Sequence, residues 1–293
     1  MVPSVTIKDL RAGPGSLGII AGNGRFPLLV LEQARELGLP VQVAAILEEA
    51  DPALEAFASP LIGVTWLGVG QLGKLLRIFR KGGVRFALMA GQVKHVKIFA
   101  PGTPALRGLL QARPDWRILR LLKSLPKKNT ESLIRGVIDI LAQHGVEFIS
   151  STLLLENSLA QPGVLTSRAP TPGEQRDISY GRPLARRLAE LDLGQTIVVK
   201  GQAVVAIEAM EGTNATIKRA AALVPGASLT LIKASRPRQD MRFDVPVLGM
   251  ETIEIFEECH VTAVAIDAGR TLLLDRESFL ARADQIGLTV VAE

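Results

Sequence analysis

The chain has 293 residues, of which 47% are hydrophobic and 22% charged, a balance that excludes a disordered chain and suits two domains better than one. Aromatics make up only 4%, too few for the stacking surface that single-stranded nucleic acid requires. The net charge of +5 is unevenly placed: residues 1–145 hold 19 Lys/Arg against 10 Asp/Glu, or +9, and residues 146–293 hold 15 against 19, or −4.

In chain order, the first 16 residues are polar and lack an apolar run, so they read as a loose extension rather than a signal peptide. Leu17–Ala21 is a short buried strand, broken by Gly22-Asn23-Gly24, with Pro27 suited to the first turn of a helix that ends at Gly38. Val41–Leu47 is a second strand. Gln71–Lys81 is a helix stopped by Gly82-Gly83, and Arg85–Ala90 is a strand followed by Gly91. Helices near 103–124 and 130–144 close this half. Strand–helix alternation predicts a Rossmann-like, doubly wound parallel sheet over 1–145.

The second half, 146–293, reads differently. Gly181–Leu191 is helical; Thr196–Lys200 and Ala203–Ala209 are strands joined at Gly201-Gln202 with hairpin spacing. A helix over Thr213–Leu223, a strand over Ser228–Ala234 and a helix over Glu251–Cys259 follow. Val264–Asp267 and Thr271–Leu274 form a second hairpin around Ala268-Gly269-Arg270, before a helix at 276–286 and a strand at 288–291. Hairpins among helices predict a mixed α/β domain. The fold expected is therefore α/β in two domains, with the ligand cleft between them.

Several constellations could carry chemistry. Gly22, Asn23 and Gly24 follow a strand and open a helix, where backbone N–H groups and the helix N-terminus favour an anion. Pro27 replaces the third glycine of a dinucleotide fingerprint, so a phosphate site and a plain tight turn both remain open. Gly91, Gln92 and Lys94 lie past a parallel strand, at the edge where open α/β sheets bind ligands, and Gln71 and Lys74 can face the same crevice. Residues 70–128 hold 14 Lys/Arg and one acid, Asp115. A solvated basic face, nucleic acid, a nucleotide diphosphate or an anionic membrane surface would each fit that stretch. Glu208, Glu211, Gly212, Thr213 and Asn214 leave a strand and cap a helix, with the two acids surplus to folding. Finally, the loop from Lys233 through Arg236, Arg238, Gln239, Asp240, Arg242 and Asp244 to Gly249 offers two acids for a divalent ion and arginines for phosphate oxygens.

Cys259 is the single cysteine, which fits a reducing compartment and reads as a core residue. His95, His144 and His260 are scattered, against a zinc site. A metal would use carboxylates, and Mg²⁺ is the better candidate.

Taken together, LGIIAGNGRFP, MAGQVK, PGVLTSRAPT, IVVKGQAVVAIEAMEGTN and above all KASRPRQDMRFDVPVLG resemble the UDP-2,3-diacylglucosamine pyrophosphatase family of the lipid A pathway, the magnesium-dependent type of Gram-negative bacteria. The resemblance runs over about 17–290 in the same order. It implies hydrolysis of the UDP-linked diacylated glucosamine to UMP and 2,3-diacylglucosamine 1-phosphate by a cytoplasmic enzyme meeting the inner membrane transiently, with Mg²⁺ as cofactor and no nucleic acid. A homodimer is an open arrangement. The resemblance further implies that Asp244, in the RFDVP motif, is needed for turnover; the spacing of the loop adds Asp240 as the second expected catalytic acid, with both as expected metal ligands. The same motifs carry Thr166, Lys200, Glu211, Gly212, Thr213, Lys233, Gln239 and Arg242 as substrate-binding positions. The family commonly has Asp where this chain has Asn214, whose carbonyl oxygen can still coordinate a cation.

Two other readings follow from the residues: a nucleotide-dependent oxidoreductase built on the first half, disfavoured by the missing glycine and by Ile46 and Leu47 at the end of the second strand, and a non-catalytic binder of anionic lipid or nucleotide.

Overall fold

A computed structural model describes residues 5–13, 15–93, 114–125, 130–237 and 239–293. The chain divides into two compact units, Met1–Leu155 and Glu156–Glu293.

In the first unit, Leu17–Ala21 (β1) is buried at every residue, as expected of a strand covered on both faces. It pairs in parallel with Val41–Ile46 (β2) on one side and Phe86–Ala90 (β4) on the other. Ile62–Leu67 (β3) extends the sheet beyond β2, and Glu147–Phe148 (β5) lies beyond β4, giving the parallel order β3-β2-β1-β4-β5. The strand β3 was not anticipated, because Gly63 interrupts its apolar pattern and four of its six residues are only half-buried. The chain turns from one side of β1 to the other, so β1 and β4 flank a topological switch point.

Phe26–Glu36 (α2) has Pro27 in its first turn, and Leu72–Lys81 (α3) buries Leu72, Leu75, Leu76 and Phe79. Trp116–Ser124 (α4) and Thr130–Gln143 (α5) follow. The expected helical stretch at 103–113 lies outside the described residues. The loose extension is corrected in part: Ile7–Ala12 (α1) is a helix, closed by a reciprocal capping box between Thr6 and Asp9. The strand β5 belongs to the first sheet rather than opening the second half, because Glu147 and Ile149 donate backbone N–H groups to Arg85 and Ala87.

The second unit holds a six-stranded mixed sheet, ordered Gly163–Val164 (β6), Thr289–Ala292 (β13), Val261–Ile266 (β11), Leu229–Lys233 (β9), Thr196–Lys200 (β7) and Ala203–Ile207 (β8). β13, β11 and β9 run parallel; β7 pairs antiparallel with β9, and β8 pairs antiparallel with β7. The period of two along each strand sorts the core. Ile197, Val199, Ile232, Ala265 and Val291 pack with Ile178 and Ala185 of Pro172–Glu190 (α6). Val198, Leu231, Val264 and Val290 pack with Ile217 of Thr213–Leu223 (α7), Phe256 of Met250–Glu258 (α8) and Phe279 of Arg276–Gln285 (α9). One face of the sheet thus carries α6 and the other carries α7, α8 and α9.

Two expectations are overturned here. The helix expected from Gly181 begins nine residues earlier, at Pro172. Thr171 and Glu174 form a capping box there, and Gly181 and Pro183 are accommodated inside the helix. A Cβ on Gly181 would sit 2.6 Å from Ile232, so the glycine is what lets α6 lie close on the sheet. The hairpin expected over 264–274 does not form: β11 pairs with β9 and β13, and Leu272–Leu273 (β12) pairs in parallel with Val247–Leu248 (β10) in a separate two-stranded sheet. The β7–β8 hairpin is present, with Gly201 and Gln202 both at positive φ, 58° and 59°. Asp177 accepts both of their N–H groups, at 3.1 and 2.6 Å.

Candidate functional site

At the switch point of the first unit, the loops after β1 and β4 touch each other. Asn23 N–H donates to Gln92 O at 2.7 Å and Gln92 N–H to Asn23 O at 3.2 Å, while Gly22 N–H reaches Ala90 O at 2.8 Å. A Cβ on Gly22 would lie 2.7 Å from Gln92 O, and one on Gly91 2.3 Å from Asn23 O. The close approach of two backbones therefore accounts for both glycines, and the N–H groups of Asn23 and Gln92 are spent on each other. Gly24, at φ 91° with open space around it, is the glycine of this loop that a ligand can approach. Gln71 accepts the Gly68 N–H at 3.1 Å, and Lys74 donates to Trp66 O at 2.7 Å, so both shape the loop ahead of α3. Lys94 lies outside the described residues. Because Gly91 sits at φ 82°, Gly91→Ala is expected to destabilise the chain by about 1–3 kcal/mol and to part the two loops; thermal unfolding reads this.

In the second unit, strand alternation gathers a polar cluster on the sheet face that carries α7. Thr196 begins β7, Lys233 ends β9 and pairs with it, and Glu208 follows β8, donating its backbone N–H to Thr196 O at 2.9 Å. Thr213, the first residue of α7, joins them. Lys233 Nζ donates to Thr213 Oγ1 at 2.8 Å, and Thr213 Oγ1 donates to Glu208 Oε1 at 2.9 Å. Thr196 Oγ1 lies 3.4 Å from the same hydroxyl. Burial lowers the pKa of Lys233 from the usual lysine value, opposed by the charges of Glu208 and Asp244.

The loop after β9 closes the cluster. Asp244 Oδ2 lies 3.3 Å from Arg236 Nη1, whose other end meets Asp192 at 3.0 Å. Asp240 takes Arg242 side-on, at 2.9 and 2.7 Å, and also accepts its backbone N–H. Gln239 Oε1 accepts the Arg236 N–H at 2.9 Å. Arg238 lies outside the described residues. Of the seven buried side-chain polar atoms without a hydrogen-bond partner among the described residues, four (Glu208 Oε2, Ser235 Oγ, Arg236 Nε and Gln239 Nε2) belong to this cluster. Unmet buried polar atoms are costly, and their concentration marks the place where a ligand would complete the hydrogen bonding.

The remaining candidates divide. Glu211 accepts from Ala209 N–H, Thr216 Oγ1 and Arg219; its own backbone N–H and the Arg219 guanidinium hold its pKa down at about 2. It ties the turn to α7 rather than pointing at Asp244. Gly212, at φ 84°, makes the turn that presents Thr213. Asn214 Nδ2 donates to Glu251 at 3.3 Å. Thr166 accepts the Val290 N–H at 3.0 Å and donates to Arg168 O, which fixes the start of β13. Lys200 sits at the far end of β7 from Thr196, about 13 Å along the strand at 3.3 Å per residue. Neither Thr166 nor Lys200 joins the Lys233–Asp244 cluster. Asp192 was not anticipated, because only the fold brings it to Arg236.

Among the described residues no group of three or more His, Cys, Asp or Glu converges on one point. That does not fit an all-protein metal cage. The carboxylates in this loop that could contribute to a divalent-ion site are Asp244 and Asp240, which here meet Arg236 and Arg242. Glu208, Asp240, Asp244 and Asp192 thus stand among Lys233, Arg236 and Arg242, with acids and cations closely interleaved. Cys259 is buried, and burial, with Glu258 beside it, raises its thiol pKa, as befits a core residue.

Comparison with known proteins identifies the family of the chain. The LpxI N-terminal domain matches residues 16–158 and the LpxI C-terminal domain residues 161–291. A protein of Caulobacter vibrioides named UDP-2,3-diacylglucosamine pyrophosphatase LpxI is 31% identical over 285 residues, 94% of this chain and 96% of its own length. The biotin carboxylase domain of a single-chain bacterial carboxylase aligns with a TM-score of 0.20 at 16% identity, over 65% of this chain and 37% of that one, a likeness too slight to bear on fold or function. Two family domains that follow each other along nearly the whole chain, together with that relative, show that the chain belongs to the LpxI family.

Proposed function

We infer that this chain hydrolyses the pyrophosphate bond of UDP-2,3-diacylglucosamine in lipid A synthesis, releasing UMP and 2,3-diacylglucosamine 1-phosphate. The observation that carries it is family membership over both halves, with the relative named for this activity. The oxygen of water ends on one phosphorus and the bridging oxygen leaves with the other. Such phosphoryl transfers depend on positioning and on neutralising developing charge. In this reading Asp244 orients the attacking water, Arg236 holds the Asp244 carboxylate in place, and the Lys233 ammonium faces the diphosphate. Asp244 and Asp240 would help to hold Mg²⁺, which would supply charge neutralisation at the diphosphate. The test is UMP release from UDP-2,3-diacylglucosamine by purified protein, with Mg²⁺ and with EDTA. Mg²⁺-dependent UMP supports the reading, and its absence under both conditions overturns it.

We also place the enzyme in the cytoplasm of a Gram-negative bacterium, in transient contact with the inner membrane. No helix among the described residues is long and apolar enough to cross a membrane. Surface contact is supported by α4, which buries Ile118 and Leu121 but leaves Trp116 69% and Leu119 42% exposed beside the exposed Arg117 and Arg120. At about 1 kcal/mol per cation, Arg117→Glu with Arg120→Glu should weaken binding to phosphatidylglycerol vesicles by roughly tenfold or more, read by co-sedimentation. A homodimer remains part of the proposal, and sedimentation equilibrium reads it.

A further inference from the structure

We propose that Glu208 is a positioning residue for the hydrolysis: acting through the Thr213 hydroxyl, it fixes the Lys233 ammonium toward Asp244 and the diphosphate. The inference rests on the function given above and adds a residue to it.

The direction of the hydrogen bonds carries the argument. An ammonium can only donate and an ionised carboxylate can only accept. Thr213 Oγ1 stands between them, 2.8 Å from Lys233 Nζ and 2.9 Å from Glu208 Oε1. It must therefore accept from Lys233 and give its one proton to Glu208. That order aims a lone pair of the threonine at the ammonium. Thr213 is the hydrogen-bond partner of Lys233 among the described residues, so the ammonium's other N–H groups remain for a ligand.

Folding alone does not account for Glu208. Its Oε2 is buried without a partner, a costly arrangement that an apolar residue would avoid and that a glutamine would keep without the charge. A carboxylate at this point does what neither could: its charge, like that of Asp244, supports a cation that burial disfavours. Three elements deliver the chain with little freedom. Lys233 ends β9, Glu208 follows β8, and Thr213 opens α7 after the turn at Gly212.

Glu208→Gln, Thr213→Val, Thr213→Ser and Lys233→Met test this by steady-state UMP release. Glu208→Gln keeps an acceptor for Thr213 and removes the charge. It is expected to lower kcat roughly 10- to 100-fold with little change in KM. Thr213→Val should fall by a similar factor and Thr213→Ser should restore most of it. Lys233→Met should cost more, and adding Glu208→Gln to it should cost nothing further, because the glutamate then has no ammonium to place. Wild-type kcat in Glu208→Gln, or losses that multiply in the double variant alongside a matching fall in Tm, would overturn the proposal and leave Glu208 a structural residue. The wild type is assayed first: if it releases no UMP, the function itself fails, which separates the two outcomes.

Discussion

Asp244→Ala should lower kcat for UMP release by about 10³-fold while the protein still folds and still binds substrate. Asp244 sits on a loop outside the packed core, with its carboxylate 3.3 Å from Arg236, so its removal opens no large cavity. Arg236 keeps its contact with Asp192 at 3.0 Å, which holds the loop. What is lost is a negative charge beside Lys233 and Arg236, at the point where water and the diphosphate would meet. Asp244→Asn is the companion variant. It retains an acceptor for Arg236 and removes only the charge, and it should be nearly as inactive. Substrate affinity, measured by isothermal titration with the inactive variants, should change far less than kcat. A kcat within about tenfold of wild type in both variants would remove Asp244 from the reaction.

The largest loss of stability is expected from Arg182→Met. Arg182, on α6, has a side chain only 6% exposed and is bound on three sides: by Asp267 at 3.0 Å, by Glu293 at 3.1 Å and by the Ile266 carbonyl at 2.9 Å. Removing one partner of a buried pair leaves the other charge uncompensated, at a cost of about 3–5 kcal/mol. Asp267 also accepts the Ser235 N–H, at the start of the loop that ends in Asp244. The same substitution should therefore reduce kcat as well as stability. Replacing both charges, with Arg182→Met and Asp267→Leu together, should recover much of the stability but not the activity, since Ser235 would lose its anchor. Urea unfolding followed by circular dichroism reads the first effect and UMP release the second. A single variant as stable as wild type would show that the buried charges relax without cost.

Local chemistry was enough to read much of this molecule. The strand β1 and the helix α7 stand where the apolar runs and the glycines at 22, 24 and 212 place them. The β7–β8 turn was legible because two residues between strands admit few backbone geometries, and Gly201 and Gln202 adopt one of them. The motif from Lys233 to Asp244 stood out in the sequence as a candidate site because its charges have no use in a folded core. The supposed hairpin at 264–274 failed for the opposite reason. Parallel pairing of β11 with β9 and β13 joins segments far apart in the chain, and no local signal opposes a tight turn at Gly269. Thr166 and Lys200 were grouped with Lys233 by motif, whereas strand direction places them elsewhere. Tertiary structure alone brings Asp192 to Arg236, sets Glu208, Thr213 and Lys233 on one sheet face, and turns the glycines at 22 and 91 toward each other's loops. Composition and motif identify which residues can do chemistry; which of them meet is decided by sheet pairing, because a side chain's face and end depend on its strand's partners and direction.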